Sequence, residues 1–116
     1  MSTLRDKILS AKDIESKIIK IEEWGADIEI RSMTAGERAR LLDAAIDAKG
    51  KVSMSVLYPG VVLACAYDPE TGEKVFTPED RELLDAKSAA AVEKIAKVAL
   101  ELSGLDIGSV DAAQKN

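Results

Sequence analysis

The stretch from residue 77 to residue 105 constrains the fold most, because it specifies two helices in close succession. Thr77 is suited to cap the first helix, and Pro78 suits its first position, where no backbone donor is needed. The second helix is predicted over 88–103, because apolar side chains recur there on one face at helical spacing. Gly104 then provides a left-handed residue that closes the helix. We expect this stretch to be a packing element.

Composition indicates an aliphatic core and argues against catalysis. The 116 residues are 47% hydrophobic but 3% aromatic, and Ala and Leu favour helices. The absence of histidine removes the usual general base and the usual zinc ligand. The one cysteine, Cys65, lies in an apolar stretch, where a thiol normally acts as a small hydrophobe. We therefore predict a protein that is not an enzyme and has no catalytic residues and no cofactor.

An acidic turn is the one place where a metal site has to be considered. Asp68, Glu70 and Glu73 lie within six positions of one another. An EF-hand loop needs glycine at its sixth position, whereas Gly72 is fifth from Asp68. We interpret the segment as a solvated turn and predict no metal.

Charge and hydropathy exclude two classes of partner. The net charge is −5, and acidic and basic residues are interspersed, so the basic surface that nucleic acid requires is missing. No apolar run approaches the roughly 20 residues that span a bilayer. The N-terminal segment is polar and lacks the apolar region of a signal peptide. We predict a cytoplasmic protein that binds neither nucleic acid nor membrane.

The segment 17–32 has the sequence pattern of β-strands. Apolar and charged residues alternate on both sides of Gly25, which predicts a hairpin. An isolated hairpin is barely stable in water, so it must lie on helices. Trp24, at the turn, is either a lid on the core or an exposed anchor for a partner. The predicted buried face consists of Ile19, Ile21, Ile28 and Ile30.

Three more helices complete the predicted domain. A short one covers 3–12, and a second follows the capping box of Thr34 and Glu37 and ends at Gly50. The third has its regular part beginning near Pro59 and forms the centre of the core. We predict an α+β fold that is predominantly α-helical, with an N-terminal β-hairpin packed on four to five helices in one globular domain, 1–105. Residues 106–116 are predicted to form a flexible C-terminal tail. The inward side chains of the second helix are Leu41, Leu42, Ala45 and Ile46.

These pieces together resemble the tail assembly chaperones of long-tailed, siphovirus-like bacteriophages and prophages. The resemblance covers residues from about 14 to 105 and depends on the order and spacing of several short motifs. In chain order, the motifs are Glu23-Trp24-Gly25, Met33-Thr34-Ala35-Gly36-Glu37-Arg38, Leu57-Tyr58-Pro59, Ala66-Tyr67-Asp68-Pro69-Glu70-Thr71-Gly72-Glu73, Phe76-Thr77-Pro78-Glu79-Asp80 and Leu102-Ser103-Gly104-Leu105.

The resemblance implies a non-enzymatic role in tail assembly. Members of that family bind the tape measure protein in the host cytoplasm and keep it soluble until the tail tube polymerises around it. They are absent from the mature virion. Contact with the major tail tube protein is a further expectation, and self-association through the Ala-rich start of the last helix stays open. The resemblance implies no catalytic residues.

The last helices offer a surface for such a client. The competing interpretation makes the same side chains part of the protein's own core. Two other functions also stay open, namely a structural adaptor or tail completion protein that is retained in the phage tail, and a cytoplasmic regulator that binds another protein. The predicted partner-binding residues are Leu83, Leu84, Val92, Ile95, Ala99, Leu102 and Trp24.

Overall fold

The computed structural model describes residues 3–105, so the predicted tail at 106–116 lies outside the described residues. Within this range a three-stranded antiparallel sheet lies against helices, in the order β1-β2-β3. The predicted fold class, a mainly helical α+β protein with an N-terminal hairpin, is confirmed. The helices are α1 Leu4–Ser10, α2 Ala35–Ala45, α3 Met54–Cys65, α4 Arg81–Asp85 and α5 Ala89–Leu102, and the strands are β1 Ser16–Ile21, β2 Ala26–Arg31 and β3 Ala66–Tyr67.

The hairpin is present and has the predicted buried face. Ile19 lies opposite Ile28, and Ile21, Ile28 and Ile30 are buried. Ile19 is half-buried against the same core. The strand β3, which pairs with the other side of β2, was not predicted. Its two residues are too few to show the alternation by which a strand is recognised.

The helix α2 begins as predicted but ends earlier. The Thr34 hydroxyl accepts a hydrogen bond from the Glu37 backbone N–H at 3.1 Å, and the Glu37 carboxylate accepts one from the Thr34 N–H at 2.9 Å. The predicted end at Gly50 is wrong, and so is the inward position of Ile46, which is 39% exposed. The Asp47 carboxylate accepts from two backbone N–H groups at 2.9 Å and so stabilises a turn instead of a further helical turn.

The helix α3 begins at Met54, so the predicted start near Pro59 is wrong. Pro59 lies inside the helix, and its missing N–H leaves the carbonyl oxygen of Ser55, one turn earlier, without its helical donor. The Arg81 guanidinium donates to this oxygen at 3.1 Å. A side chain distant in sequence thus satisfies the acceptor that the proline leaves open, which is how the helix continues through Pro59.

The core lies between α3, α5 and the buried face of the hairpin. Gly60 allows α2 to approach α3 closely, because a Cβ atom at this position would collide with the Leu41 side chain. The helix α5 ends as predicted, with Gly104 at a φ of 82° and the Leu105 N–H donating to the Leu100 carbonyl at 2.7 Å. The predicted aliphatic core is present, and its largest fully buried side chains are Ile21, Ile30, Leu57, Val61, Val62, Cys65, Ile95 and Leu100.

Candidate functional site

An open apolar groove lies where the hairpin turn, the segment 68–76 and α4 meet. Three adjoining depressions share Phe76, with volumes of about 580 Å³ towards the hairpin, 420 Å³ beside Trp24 and 310 Å³ towards α4. Exposed apolar depressions of this kind are candidate contact surfaces for apolar side chains of another chain. We call it the Phe76 groove and define it by its apolar side chains Ile18, Trp24, Val75, Phe76, Leu83 and Leu84.

Trp24 is held at one wall of the Phe76 groove by the turn between β1 and β2. The turn is a single 3₁₀ turn, Glu22–Trp24, closed by Gly25 at a φ of 59°. The Gly25 N–H donates to the Glu22 carbonyl at 3.2 Å. The indole is half-buried, because part of it packs on the core and the rest lines the groove. It is thus partly covered by the chain and partly available to a partner.

Hydrogen bonds before and after Phe76 in the sequence hold the backbone that places it at the centre of the groove. Before it, the Asp68 carboxylate accepts from the Glu70 N–H at 2.8 Å, and the Val75 N–H donates to the Ala66 carbonyl at 3.1 Å. After it, the Asp80 carboxylate accepts from the Thr77 N–H at 2.8 Å. These bonds hold two bulky apolar side chains, Val75 and Phe76, in a segment that is otherwise polar.

The short helix α4 contributes two leucines with different exposure. Leu83 is 64% exposed, whereas Leu84 is 3% exposed. Consecutive residues of a helix point about 100° apart, so one side chain turns towards the solvent while the other turns towards the core. Leu84 forms the floor of the Phe76 groove and Leu83 forms part of its wall.

The rim of the groove is acidic. Among the residues that line it, Lys87 carries a positive charge, and Glu23 has a weak ion pair with Lys94 at 3.9 Å. The other charged lining residues are carboxylates, so the apolar surface is framed by negative potential. These carboxylates are Glu23, Asp27, Asp68, Glu70 and Asp80.

The structure brings together three of the residues predicted to bind a partner, namely Trp24, Leu83 and Leu84. Val92 is 9% exposed and lines a neighbouring depression of about 230 Å³. Ile95 and Ala99 are fully buried, in keeping with the competing interpretation that they are core residues.

Leu102 lies apart from this group. It is half-buried and lines a separate depression, together with Met33 and Ser103. It lies ten positions after Val92 in α5, which is about 15 Å along the helix axis. The predicted partner-binding residues therefore divide between the Phe76 groove, the neighbouring depression at Val92, the core and the far end of α5.

Sequence reasoning missed Ile18, Val75 and Phe76 as parts of the candidate site. The sequence shows that these residues are apolar. They lie on one surface because two segments about 50 residues apart pack together, which the sequence does not show. The small number of aromatic residues is a signal that could have pointed to this site. The chain has four aromatic rings, and two of them, Trp24 and Phe76, lie in this groove.

Cys65 takes no part in any reactive site. It is 1% exposed, and burial raises the pKa of its thiol to about 12, with the Glu37 carboxylate adding to the effect. We expect a thiol-alkylating reagent at pH 8 to label the native protein on the order of 10³-fold more slowly than the denatured protein, because the core must open first. Mass spectrometry of timed samples measures this ratio. Equal rates would mean that Cys65 is accessible.

No group of three or more His, Cys, Asp or Glu side chains in residues 3–105 is arranged to hold a metal ion. None of the helices within this range is long and apolar enough to cross a membrane.

The fold is similar to that of a known viral protein. The structure of the bacteriophage HK97 tail assembly chaperone matches with a TM-score of 0.60, covering 87% of this chain and 98% of that chain at 17% sequence identity. No family model matches the sequence, and no curated protein matches it. At this identity the likeness concerns the fold, and the chain accordingly has the fold of the HK97 tail assembly chaperone.

Proposed function

We propose that this protein is a phage tail assembly chaperone, which binds the tape measure protein in the host cytoplasm and keeps it soluble until the tail tube polymerises. The observation that carries the proposal is the likeness to the HK97 tail assembly chaperone, which extends over 98% of that chain. The role is one of binding, with no bond made or broken. A small module that leaves before the tail is complete suffices for it.

The Phe76 groove is the surface that we assign to the client. A long helical client exposes an apolar stripe, and such a stripe aggregates unless another surface covers it. A groove with aromatic walls accepts one helix face, as in other helix-in-groove complexes. Trp24 and Phe76 are half-buried and packed against the core, so part of their side-chain entropy is already lost before they contact a client. Leu83 adds an exposed aliphatic contact.

The acidic rim defines the charge of the segment that fits. Carboxylates such as Asp27 and Glu70 at the edge favour client helices whose apolar stripe is flanked by Lys or Arg, and they speed the encounter with such segments. The rim also leaves the complex with outward negative charge, which opposes aggregation. Several copies along one client hold it by multivalency, while each single contact stays weak enough for the tube to displace.

Leu83→Asp tests this assignment. The exposed position tolerates the new carboxylate in the free protein, but in the complex the carboxylate would be buried against the apolar client. We expect the affinity for the tape measure protein to fall by about tenfold or more, as at an interface hot spot. Co-expression followed by measurement of soluble tape measure protein gives the readout, with circular dichroism to confirm that the variant is folded.

The matched control is Ala44→Asp, which adds the same charge at an exposed position of α2 outside the groove. This variant should keep the client as soluble as the wild-type protein does. If the folded Leu83→Asp variant solubilises the client as well as the control does, the groove is not the client site. If the wild-type protein leaves the client insoluble, the chaperone function itself is excluded.

A further inference from the structure

The helix α1 is an amphipathic element whose apolar side is uncovered. Residues 3–18 are all exposed, and Leu4 and Ile8 are 73% and 61% exposed. They lie four positions apart, on the same side of the helix, and we call this pair the α1 stripe. A helix of seven residues is marginal in water when nothing packs against it. Docking of the α1 stripe would therefore stabilise α1.

The charges around the α1 stripe are arranged symmetrically. At about 100° per residue, Arg5 and Lys7 fall on either side of the stripe, and Asp6 falls on the opposite side of the helix. The stripe is thus apolar with basic edges. The Phe76 groove is apolar with acidic edges, so the two surfaces are complementary in both polarity and charge.

We propose that the α1 stripe of one copy docks in the Phe76 groove of a second copy. The docking itself is inferred from these two surfaces, whereas its displacement by a client rests on the proposed function. In the free protein, α1 of a neighbouring copy covers the apolar groove. A client with the same pattern of apolar stripe and basic edges displaces it when it binds.

The geometry favours a second copy over the same chain. The linker 11–15 has five residues and spans at most about 18 Å. It joins β1 at Ser16, which pairs with Arg31 at the end of the hairpin remote from Trp24. Glu15, the last residue of this linker, is held there by hydrogen bonds with Ser32 in both directions. In this position α1 leaves the groove of its own chain open, since Leu4 and Ile8 remain 73% and 61% exposed.

The association should be weak and dependent on salt. A helix this short offers an interface below the roughly 1,200 Å² that stable complexes bury, so it will exchange readily. We expect sedimentation velocity on the client-free, full-length protein to show a mass that rises with concentration between about 10 µM and about 1 mM. Raising the salt concentration should weaken this association, because the charges at the rim are screened.

Ile8→Asp and Leu83→Asp test the two halves of the contact separately. Each should weaken self-association by at least about tenfold, because each places a carboxylate in the apolar contact. The matched control for α1 is Ser10→Asp, which adds the same charge to the same helix, on the side away from the stripe. Its self-association should match that of the wild-type protein.

Mixing the two defective variants gives the decisive measurement. The Ile8→Asp copy retains an intact groove, and the Leu83→Asp copy retains an intact α1 stripe. The mixture should therefore form a one-to-one pair, although neither variant associates alone. A wild-type protein that stays monomeric at about 1 mM overturns the proposal, and so does a mixture that shows no pairing.

The result is independent of the client assay. Self-association is measured without a tape measure protein, so its loss says nothing against the chaperone function. Conversely, a protein that pairs as described but leaves the tape measure protein insoluble would retain this inference and exclude the proposed function.

Discussion

Replacing Ile95 with Asp should unfold the protein. Ile95 is fully buried in the middle of α5. Loss of the side-chain packing alone costs about 2–5 kcal/mol, as judged by Ile→Ala changes, and an unpaired buried carboxylate costs several kcal/mol more. The sum reaches the whole stability of a typical domain, about 5–15 kcal/mol. Circular dichroism at 25 °C should show most of the helical signal lost.

The expected loss should depend on pH in a defined direction. Burial raises the pKa of a carboxyl, so the folded form of the variant favours the neutral acid. The folded state therefore binds the proton more tightly than the unfolded state, and the destabilisation relative to the wild-type protein should shrink as the pH falls and grow as it rises. Denaturant titrations of the variant and the wild-type protein at several pH values measure this difference.

Ala90→Asp is the control for Ile95→Asp on the same helix. Ala90 is exposed in the first turn of α5, where a negative charge interacts favourably with the helix dipole. This variant should remain folded at every pH at which the wild-type protein is folded. If the Ile95→Asp variant also remains folded, with an unchanged melting temperature, this would contradict the burial of Ile95. Ile95 would then again be a candidate for contact with the client.

The neighbouring leucines of α4 should differ strongly in their effect on stability. Leu84→Ala removes a side chain that is 3% exposed and should lower the free energy of unfolding by about 2–5 kcal/mol. Leu83→Ala removes one that is 64% exposed and should change it by no more than about 0.5 kcal/mol. The corresponding drop in Tm is roughly 8 °C or more for Leu84→Ala.

Differential scanning calorimetry of both variants gives the comparison. Equal destabilisation would mean that the two leucines are buried alike and that α4 does not present Leu83 at the wall of the Phe76 groove. The same pair separates stability from binding. Leu83→Ala should keep the fold and weaken the capture of a client, whereas any loss of capture by Leu84→Ala reflects the disturbed floor of the groove and the lower stability together.

Much of the secondary structure was predictable, because the deciding interactions are local. The capping box of Thr34 and Glu37 joins residues three apart, and the alternation over 17–32 records which face of the hairpin is buried. Gly104 closes α5 through its own backbone conformation. Each signal is contained within a few residues, so the sequence alone is enough to read it.

The wrong predictions concern elements whose bounds depend on a residue distant in sequence or on a competing hydrogen bond. The helix α3 runs through Pro59, where the freed Ser55 carbonyl accepts from Arg81, 26 residues further along the chain. The strand β3 exists only because β2 offers it an edge. The helix α2 ends early because the Asp47 carboxylate captures backbone donors for a turn, a choice that helical periodicity does not reveal.

By itself, the sequence determined the fold class, the aliphatic core and the apolar face of α5, since these follow from local propensity and periodicity. Only the tertiary structure decided which apolar residues are left for a partner. Ile95 and Leu83 are both aliphatic residues in predicted helices, yet α5 packs within the core while α4 leaves Leu83 exposed. The Phe76 groove likewise joins Trp24 to Phe76 across about 50 residues of chain. Periodicity gives the direction of a side chain around its own helix, and the position of the neighbouring elements decides whether that direction leads into the core or into solvent.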